Sequence, residues 1–152
     1  MKNVAVTVIV GFITGLVISG ILVDVIKYVG KSFNRVSISW NISKAEKAYS
    51  NERFSDSISI YKKTLPKIDS ENKILIAKIK NNLALSILKN IEKENSIDFS
   101  NNEFRVNIND FVELKEILNL LKQANDLYIE TNNVELSAQT IKNIKMIEDN
   151  LY

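Results

Sequence analysis

The chain has 152 residues, which is enough for one small domain with a single hydrophobic core and too few for two. It has no cysteine and no histidine, only four glycines and one proline, and a net charge of +2. These counts exclude a disulfide scaffold, a thiol nucleophile and metal sites built on cysteine or histidine, so we expect neither a metal nor a cofactor. The scarcity of turn residues favours helices. The small net charge gives no basic footprint for nucleic acid, which we exclude as a partner.

Residues 3–23 form an apolar run that contains no charged side chain. A helix of this length spans about 30 Å, the thickness of the hydrocarbon core of a bilayer. Asp24, Lys27 and Lys31 end the run, and we expect the helix to continue through them. The sequence therefore predicts that residues 1–33 are a single transmembrane anchor in the lipid bilayer and the helix that emerges from it. Two alternatives are a cleaved signal peptide, for which Lys2 supplies the positive charge, and a buried helix of a globular fold.

Small side chains recur at every fourth position of this segment, on one face of the predicted helix: Thr7, Gly11, Gly15 and Ser19. Such a face lets a second transmembrane helix come close, so we predict packing against another copy of the chain or against a partner helix. Glycine is also frequent in membrane helices that have no such contact, and this alternative stays open. The basic residues that follow the segment outnumber those before it, which predicts a cytoplasmic C-terminal domain.

The rest of the chain, residues 34–152, has the periodicity of helices and no strand pattern of useful length. The first two predicted helices cover residues 37–50 and 54–65, and Pro66 ends the second. Ser70 is the predicted N-cap of a third helix that reaches about residue 93. Its wide apolar stripe indicates that it is covered on more than one side.

A polar loop is predicted over residues 94–109, between the third helix and the fourth. Asn109 or Asp110 is the predicted cap of the fourth helix, and Asn132 the cap of the fifth. We expect these two helices to bury the following apolar side chains: Phe111, Leu114, Ile117, Leu118, Leu121, Ala124, Tyr128, Leu136, Ile141, Ile144, Ile147 and Leu151.

Small, aromatic and aliphatic residues alternate in a fixed order along the first two helices of this domain: Ala45, Tyr49, Phe54, Ser57, Ile58, Tyr61, Thr64 and Leu65. In this order the two helices resemble a tetratricopeptide repeat. In such repeats, small residues let paired helices approach and aromatic side chains fill the gaps between them. A second unit would begin at about residue 82, with the helix from Asp110 as its partner, the loop at 94–109 as an insertion and the final helix as a cap. A generic helical bundle is the alternative.

The resemblance implies an all-α domain of antiparallel helical hairpins that binds a peptide or helix of a partner protein in a groove. In this family the groove is lined by the first helix of each pair. The corresponding positions here are Ile42, Glu46, Tyr49, Ser50, Lys78, Asn81, Leu85, Leu88 and Lys89. The carboxylate clamp of the chaperone-binding members is not reproduced, because Ile42 and Glu46 occupy its first two positions. The alternative is that Tyr49, Leu85 and Leu88 are ordinary core residues.

No spacing of carboxylates, lysines or hydroxyls in the sequence forms a catalytic arrangement, and all four glycines lie in or beside the apolar segment rather than in a phosphate-binding loop. We therefore expect no catalytic residues and no enzyme activity. The sequence predicts a membrane-anchored adaptor or scaffold that binds a partner protein. The alternatives are a structural subunit of a larger membrane complex and an exported helical protein whose signal peptide is removed.

The predicted small-residue face can be tested by replacing Gly11 and Gly15 together with isoleucine. Two branched side chains on this face hold another helix away, so we expect the double variant to lose self-association or partner-helix binding. The measurement is the oligomeric state in detergent, and an unchanged state in the double variant contradicts the prediction.

Overall fold

A computed structural model describes the backbone of residues 21–95 and 108–151 and the side chains of residues 34–94 and 111–149. The described residues form helices joined by short turns: α1 (Ile21–Ser50), α2 (Phe54–Thr64), α3 (Lys73–Asn95), α4 (Ile108–Glu130) and α5 (Val134–Leu151). A 3₁₀ turn, Leu65–Lys67, follows α2 and contains Pro66. Since these ranges hold five helices and no strand, the predicted all-α class is confirmed for this part of the chain.

Most of the predicted membrane segment, with Thr7, Gly11, Gly15 and Ser19, lies outside the described residues. Among the helices that the structure describes, none is both long and apolar enough to cross a membrane. The anchor and its small-residue face therefore stay predictions.

The chain divides into two compact units, and the boundary between them falls between Ser37 and Ile38. Helix α1 is continuous from Ile21 to Ser50, whereas the sequence predicted a separate helix that begins near residue 37. No proline interrupts this stretch, so nothing stops the backbone hydrogen bonds from continuing. The second unit, which begins at Ile38, contains the last part of α1 and α2 to α5, and it is described below.

Two predicted breaks are confirmed, at residues 51–53 and 131–133, and both have the same geometry. Glu52 and Asn132 adopt left-handed backbone conformations, with φ of 56° and 57°. The amide after each reaches back five residues, from Arg53 to the Ala48 carbonyl at 2.9 Å and from Asn133 to the Tyr128 carbonyl at 2.8 Å. These bonds satisfy carbonyls that a helix end leaves open, and they reverse the chain sharply.

The predicted start of the third helix at Ser70 is wrong, because α3 begins at Lys73. The side chain of Asp69 accepts a hydrogen bond from the amide of Glu71 at 3.2 Å and closes a turn that includes Ser70. Asn72 takes the capping position instead, and its side-chain oxygen accepts from the amide of Leu75 at 3.4 Å. A short polar side chain can favour either a turn or a helix cap. Here Asp69 and Ser70 lie in a turn, and the helix is capped by Asn72, which follows that turn in the sequence.

The other predicted helix ends differ by one or two residues. Helix α5 begins after Asn133, whose carbonyl accepts from the amide of Ser137 at 3.0 Å, because Asn132 already closes the preceding turn. Helix α4 begins at Ile108, before both predicted caps. The predicted loop over 94–109 is therefore helical at both ends, and residues 96–107 lie outside the described residues.

Helix α3 lies at the centre of the second unit, with α2 and α4 packed against it and α5 packed against α4. This confirms that α3 is covered on more than one side. Lys73 pairs with Glu130 and Lys80 with Gln123, so α3 and α4 run in opposite directions. The main core cluster contains the following buried residues: Ala45, Tyr61, Ile79, Leu83, Ala84, Ile87, Leu88, Ile91, Leu114, Ile117, Leu121 and Ile147.

Small polar residues form the closest contact between α2 and α3. Ser57 and Ser86 have no exposed surface, and their hydroxyl oxygens lie 3.1 Å apart in a hydrogen bond. Ser86 also donates to the carbonyl of Asn82 at 2.8 Å, which leaves its oxygen to accept from Ser57. The two helices can approach this closely because neither side chain extends beyond one heavy atom from Cβ, and the hydrogen bond removes the cost of burying two hydroxyls.

Two residues predicted to be buried are exposed. Ile141 is 51% exposed and Phe111 is 38% exposed. On α5 the prediction is confirmed for Ile147, which is buried, and for Ile144 and Leu136, which are partly buried against the core clusters. In the first half of α5 the inward positions also include Ser137 and Thr140. Ser137 donates to Asn125 of α4 at 2.7 Å, and Thr140 donates to the carbonyl of Leu136 at 2.7 Å. Sequence periodicity counts apolar side chains only, so it assigned Ile141 to the buried face in place of its neighbour Thr140.

The Ser57–Ser86 contact predicts that a large side chain at Ser57 destabilises the fold. We expect Ser57→Leu to lower the free energy of unfolding by about 1–3 kcal/mol, because the added atoms have no room and the Ser86 oxygen loses its hydrogen bond from Ser57. The matched control is Ser55→Leu on the exposed side of α2, which should change stability by less than about 0.5 kcal/mol. The stability of both variants is measured by thermal unfolding of the full chain in mild detergent, followed by far-ultraviolet circular dichroism. An equal loss of stability in the two variants contradicts the prediction.

Candidate partner-binding groove

A cavity of about 270 Å³ opens between α1, α2 and α3. We call it the Glu46 cavity, and its lining residues are Glu46, Tyr49, Ser50, Tyr61, Asn82 and Leu85. On α1 the lining residues are three and four positions apart, and on α3 they are three apart, so each set lies on one helix face. The cavity therefore lies where the first helices of the two predicted helix pairs come side by side.

Tyr61 and Asn82 link α2 to α3 at this cavity. The Tyr61 side chain is only 1% exposed, and its hydroxyl oxygen accepts a hydrogen bond from the Asn82 amide nitrogen at 3.4 Å. The amide oxygen of Asn82 accepts no hydrogen bond from the described residues, so it is available to a donor from outside. The cavity thus combines a buried phenol and an amide oxygen with the apolar side chain of Leu85.

Burial raises the pKa of the Tyr61 phenol above its ordinary value of 10.0, and the negative charge of Glu46 raises it further, whereas the hydrogen bond from Asn82 lowers it. Tyr61 therefore keeps its proton at neutral pH. Since the native pKa lies above the unfolded one, the stability that Tyr61 contributes is complete below its unfolded pKa and is lost as the pH rises through the native value.

Glu46 lies on the exposed face of α1, and its carboxylate makes no ion pair or side-chain hydrogen bond with the described residues. Its carbonyl accepts from the Ser50 hydroxyl at 3.0 Å, one turn later. The ring of Tyr49 meets the ring of Phe54 edge to face, with centroids 5.3 Å apart. This contact supports Tyr49 across the turn between α1 and α2.

The structure brings four of the predicted groove residues together in the Glu46 cavity: Glu46, Tyr49, Ser50 and Leu85. Ile42 is half-buried against the main core. Leu88 is only 3% exposed, which agrees with the alternative interpretation that it is an ordinary core residue. Lys78 and Lys89 are exposed on α3, and Lys89 pairs with Glu92. These two lysines lie outside the cavity lining.

Asn81 does not line the cavity, because it accepts a hydrogen bond from Thr140 of α5 at 3.4 Å. Its neighbour Asn82 takes the groove position that the sequence assigned to Asn81. Sequence spacing could not decide between the two, because Asn81 and Asn82 each lie three or four positions from both Lys78 and Leu85. Tyr61 was assigned to helix packing alone, and its role as cavity lining could not be read from its spacing.

A second cavity, of about 300 Å³, lies between α1 and α2 and is lined by Lys44, Ala48, Arg53, Asp56, Ser59 and Ile60. Arg53 and Asp56 pair there at 3.7 Å, and the Lys44 ammonium lies 5.2 Å from the centre of the Trp40 ring. The charged groups of this cavity are thus engaged with other side chains of the same two helices and their connecting turn.

The described residues contain no cluster of acidic side chains that could hold a metal ion. No protein family, curated protein or solved structure matches this chain. The arguments about its function therefore depend on the described geometry and on the sequence.

The arrangement of the Glu46 cavity predicts how the pKa of Tyr61 responds to its two neighbours. Glu46→Gln should lower the pKa, because it removes the negative charge, and Asn82→Leu should raise it, because it removes the donor at similar size. Near-ultraviolet absorbance titration measures tyrosinate formation, and a Tyr61→Phe variant identifies the contribution of this residue. An unchanged pKa in both variants contradicts the geometry described here.

Proposed function

We propose that the chain is a membrane-anchored adaptor or scaffold whose helical domain binds a peptide or helix of a partner protein in the groove that contains the Glu46 cavity. The observation that carries this proposal is the cavity itself, which opens between α1 and α3 where the sequence placed a binding groove. It is mostly apolar and has a few oriented polar groups, as recognition sites commonly are. The residue types offer no catalytic arrangement, which favours binding over catalysis.

The packing of the helices supports a repeat-like domain of the tetratricopeptide kind. Ala45, Ser57 and Thr64 occupy small-residue positions of the resemblance, and each is at most 1% exposed. Small buried residues at these positions bring α1, α2 and α3 close together. In the proposed arrangement α5 caps the second helix pair by packing on α4.

The proposed attachment to a membrane depends on the apolar segment at residues 3–23, whose length suits a bilayer. The excess of basic residues after the segment supports a cytoplasmic location of the helical domain. A tether of this kind would place the groove where membrane-associated partners are concentrated.

An exposed apolar face on α5 supports a second candidate, a structural subunit of a larger complex. Val134 is 72% exposed and Ile141 is 51% exposed on the terminal helix. The outer face of a terminal helix in a repeat array is usually polar, so exposed side chains of this size suggest contact with another protein.

Photo-crosslinking separates the two candidates. A crosslinking amino acid replaces Leu85 in the cavity or Ile141 on α5, and the control position is Lys63 on the exposed side of α2. Each variant of the full chain is expressed in the membranes of its native host. We expect the position of Leu85 to capture one defined protein that the position of Lys63 does not capture. Capture at Ile141 alone favours the structural subunit, and equal capture at all three positions contradicts groove binding.

A further inference from the structure

We propose that the Glu46 cavity binds a single basic side chain, lysine or arginine, of the partner polypeptide. This inference rests on the proposed function and names the chemistry that the groove recognises.

The charge of Glu46 is the first argument. It is the one ionised side chain among the described residues that line the cavity. Several acidic residues elsewhere in the domain are paired, for example Glu116 with Lys62 at 3.0 Å and Glu148 with Lys122 at 2.8 Å, whereas others such as Asp126 are exposed on helix surfaces and do not line the cavity. The Glu46 carboxylate makes no such pair within the described residues. A carboxylate with open acceptor positions beside a cavity favours a cation as the occupant.

The acceptors inside the cavity give the second argument. An ammonium or guanidinium group only donates hydrogen bonds, so it needs oxygens that are free to accept. The carboxylate of Glu46 and the amide oxygen of Asn82 are of this kind, because neither accepts a hydrogen bond from the described residues. The raised pKa of Tyr61 keeps the phenol neutral, so the carboxylate supplies the negative charge of the site.

The shape and walls of the cavity give the third argument. The cavity has a volume of about 270 Å³ and is open at the surface, so a long side chain of a bound polypeptide can enter it. Tyr49 and Leu85 provide apolar surface next to the carboxylate. Lysine and arginine match this combination, because each has an apolar stem and a charged end.

The surrounding charges limit the occupant to one basic residue. Lys78 and Lys89 lie on α3 about one helical turn before Asn82 and after Leu85. A run of basic residues in the partner would meet the exposed Lys78 on one side of the cavity, whereas the charge of Lys89 on the other side is balanced by Glu92. An acidic side chain in the cavity would instead meet Glu46 directly.

The probe is a phage library of random dodecapeptides, selected on the full chain in detergent micelles, with the Leu85→Arg variant used to remove peptides that bind elsewhere. Circular dichroism checks that the variant is folded. We expect the selected peptides to share a lysine or arginine at one position. Replacing that residue with methionine in a synthetic peptide should weaken binding by about two- to fivefold, as measured by fluorescence anisotropy.

A double-mutant cycle assigns this effect to Glu46. In the Glu46→Gln variant the lysine and methionine peptides should bind equally well, whereas the control Asp126→Asn, an exposed acidic residue of α4, should keep the difference. Selected peptides that lack a shared basic residue, or a difference that survives in Glu46→Gln, overturn the inference and leave groove binding intact. If no selected peptide depends on Leu85, both the inference and groove binding in the proposed function are overturned.

Discussion

The close approach of α2 to α3 at Ser57 and Ser86 is the constraint on which the rest of the domain depends. Two hydroxyl side chains occupy the contact, and their hydrogen bond lets them be buried without an open polar atom. With α2 held this close, the phenol of Tyr61 reaches Asn82 on α3 and becomes part of the Glu46 cavity. A larger side chain at the contact would separate the helices and move Tyr61 away from its partner.

Apolar burial supplies most of the stability, and the surface ion pairs add little. The pairs Lys62–Glu116 and Lys122–Glu148 connect α2 to α4 and α4 to α5, but all four side chains are at least 40% exposed. Exposed pairs of this kind contribute about 0.2–1 kcal/mol each. Replacing a buried leucine such as Leu114 or Leu121 with alanine costs about 2–5 kcal/mol, so the core decides the fold.

Sequence periodicity predicted the helices well and their polar details poorly, and the reason is physical. The helix faces of α1 to α4 follow apolar spacing, which is visible in one sequence. On α5 the apolar spacing identified Ile147 but not the inward Ser137 and Thr140, whose hydrogen bonds to Asn125 and Asn81 depend on the neighbouring helices. Similarly, Asp69 and Ser70 could each have capped a helix, and only the folded turn determines that Asn72 does so. Of the predicted groove residues, Glu46, Tyr49 and Ser50 of α1 but only Leu85 of α3 line the cavity, and the contribution of Tyr61 from a third helix was not predicted.

The small size and partial exposure of the Glu46 cavity set the affinity that it can provide alone. The ion pair between one basic side chain and an exposed carboxylate contributes little to the binding free energy, because water screens the charges. In the proposed arrangement the anchor compensates for this, since a partner held at the same membrane has a high effective concentration near the groove. Weak contacts then suffice for binding at the membrane, and the same contacts give little binding to a partner free in solution. A groove of modest affinity therefore suits an adaptor whose partners must assemble at a membrane and separate again.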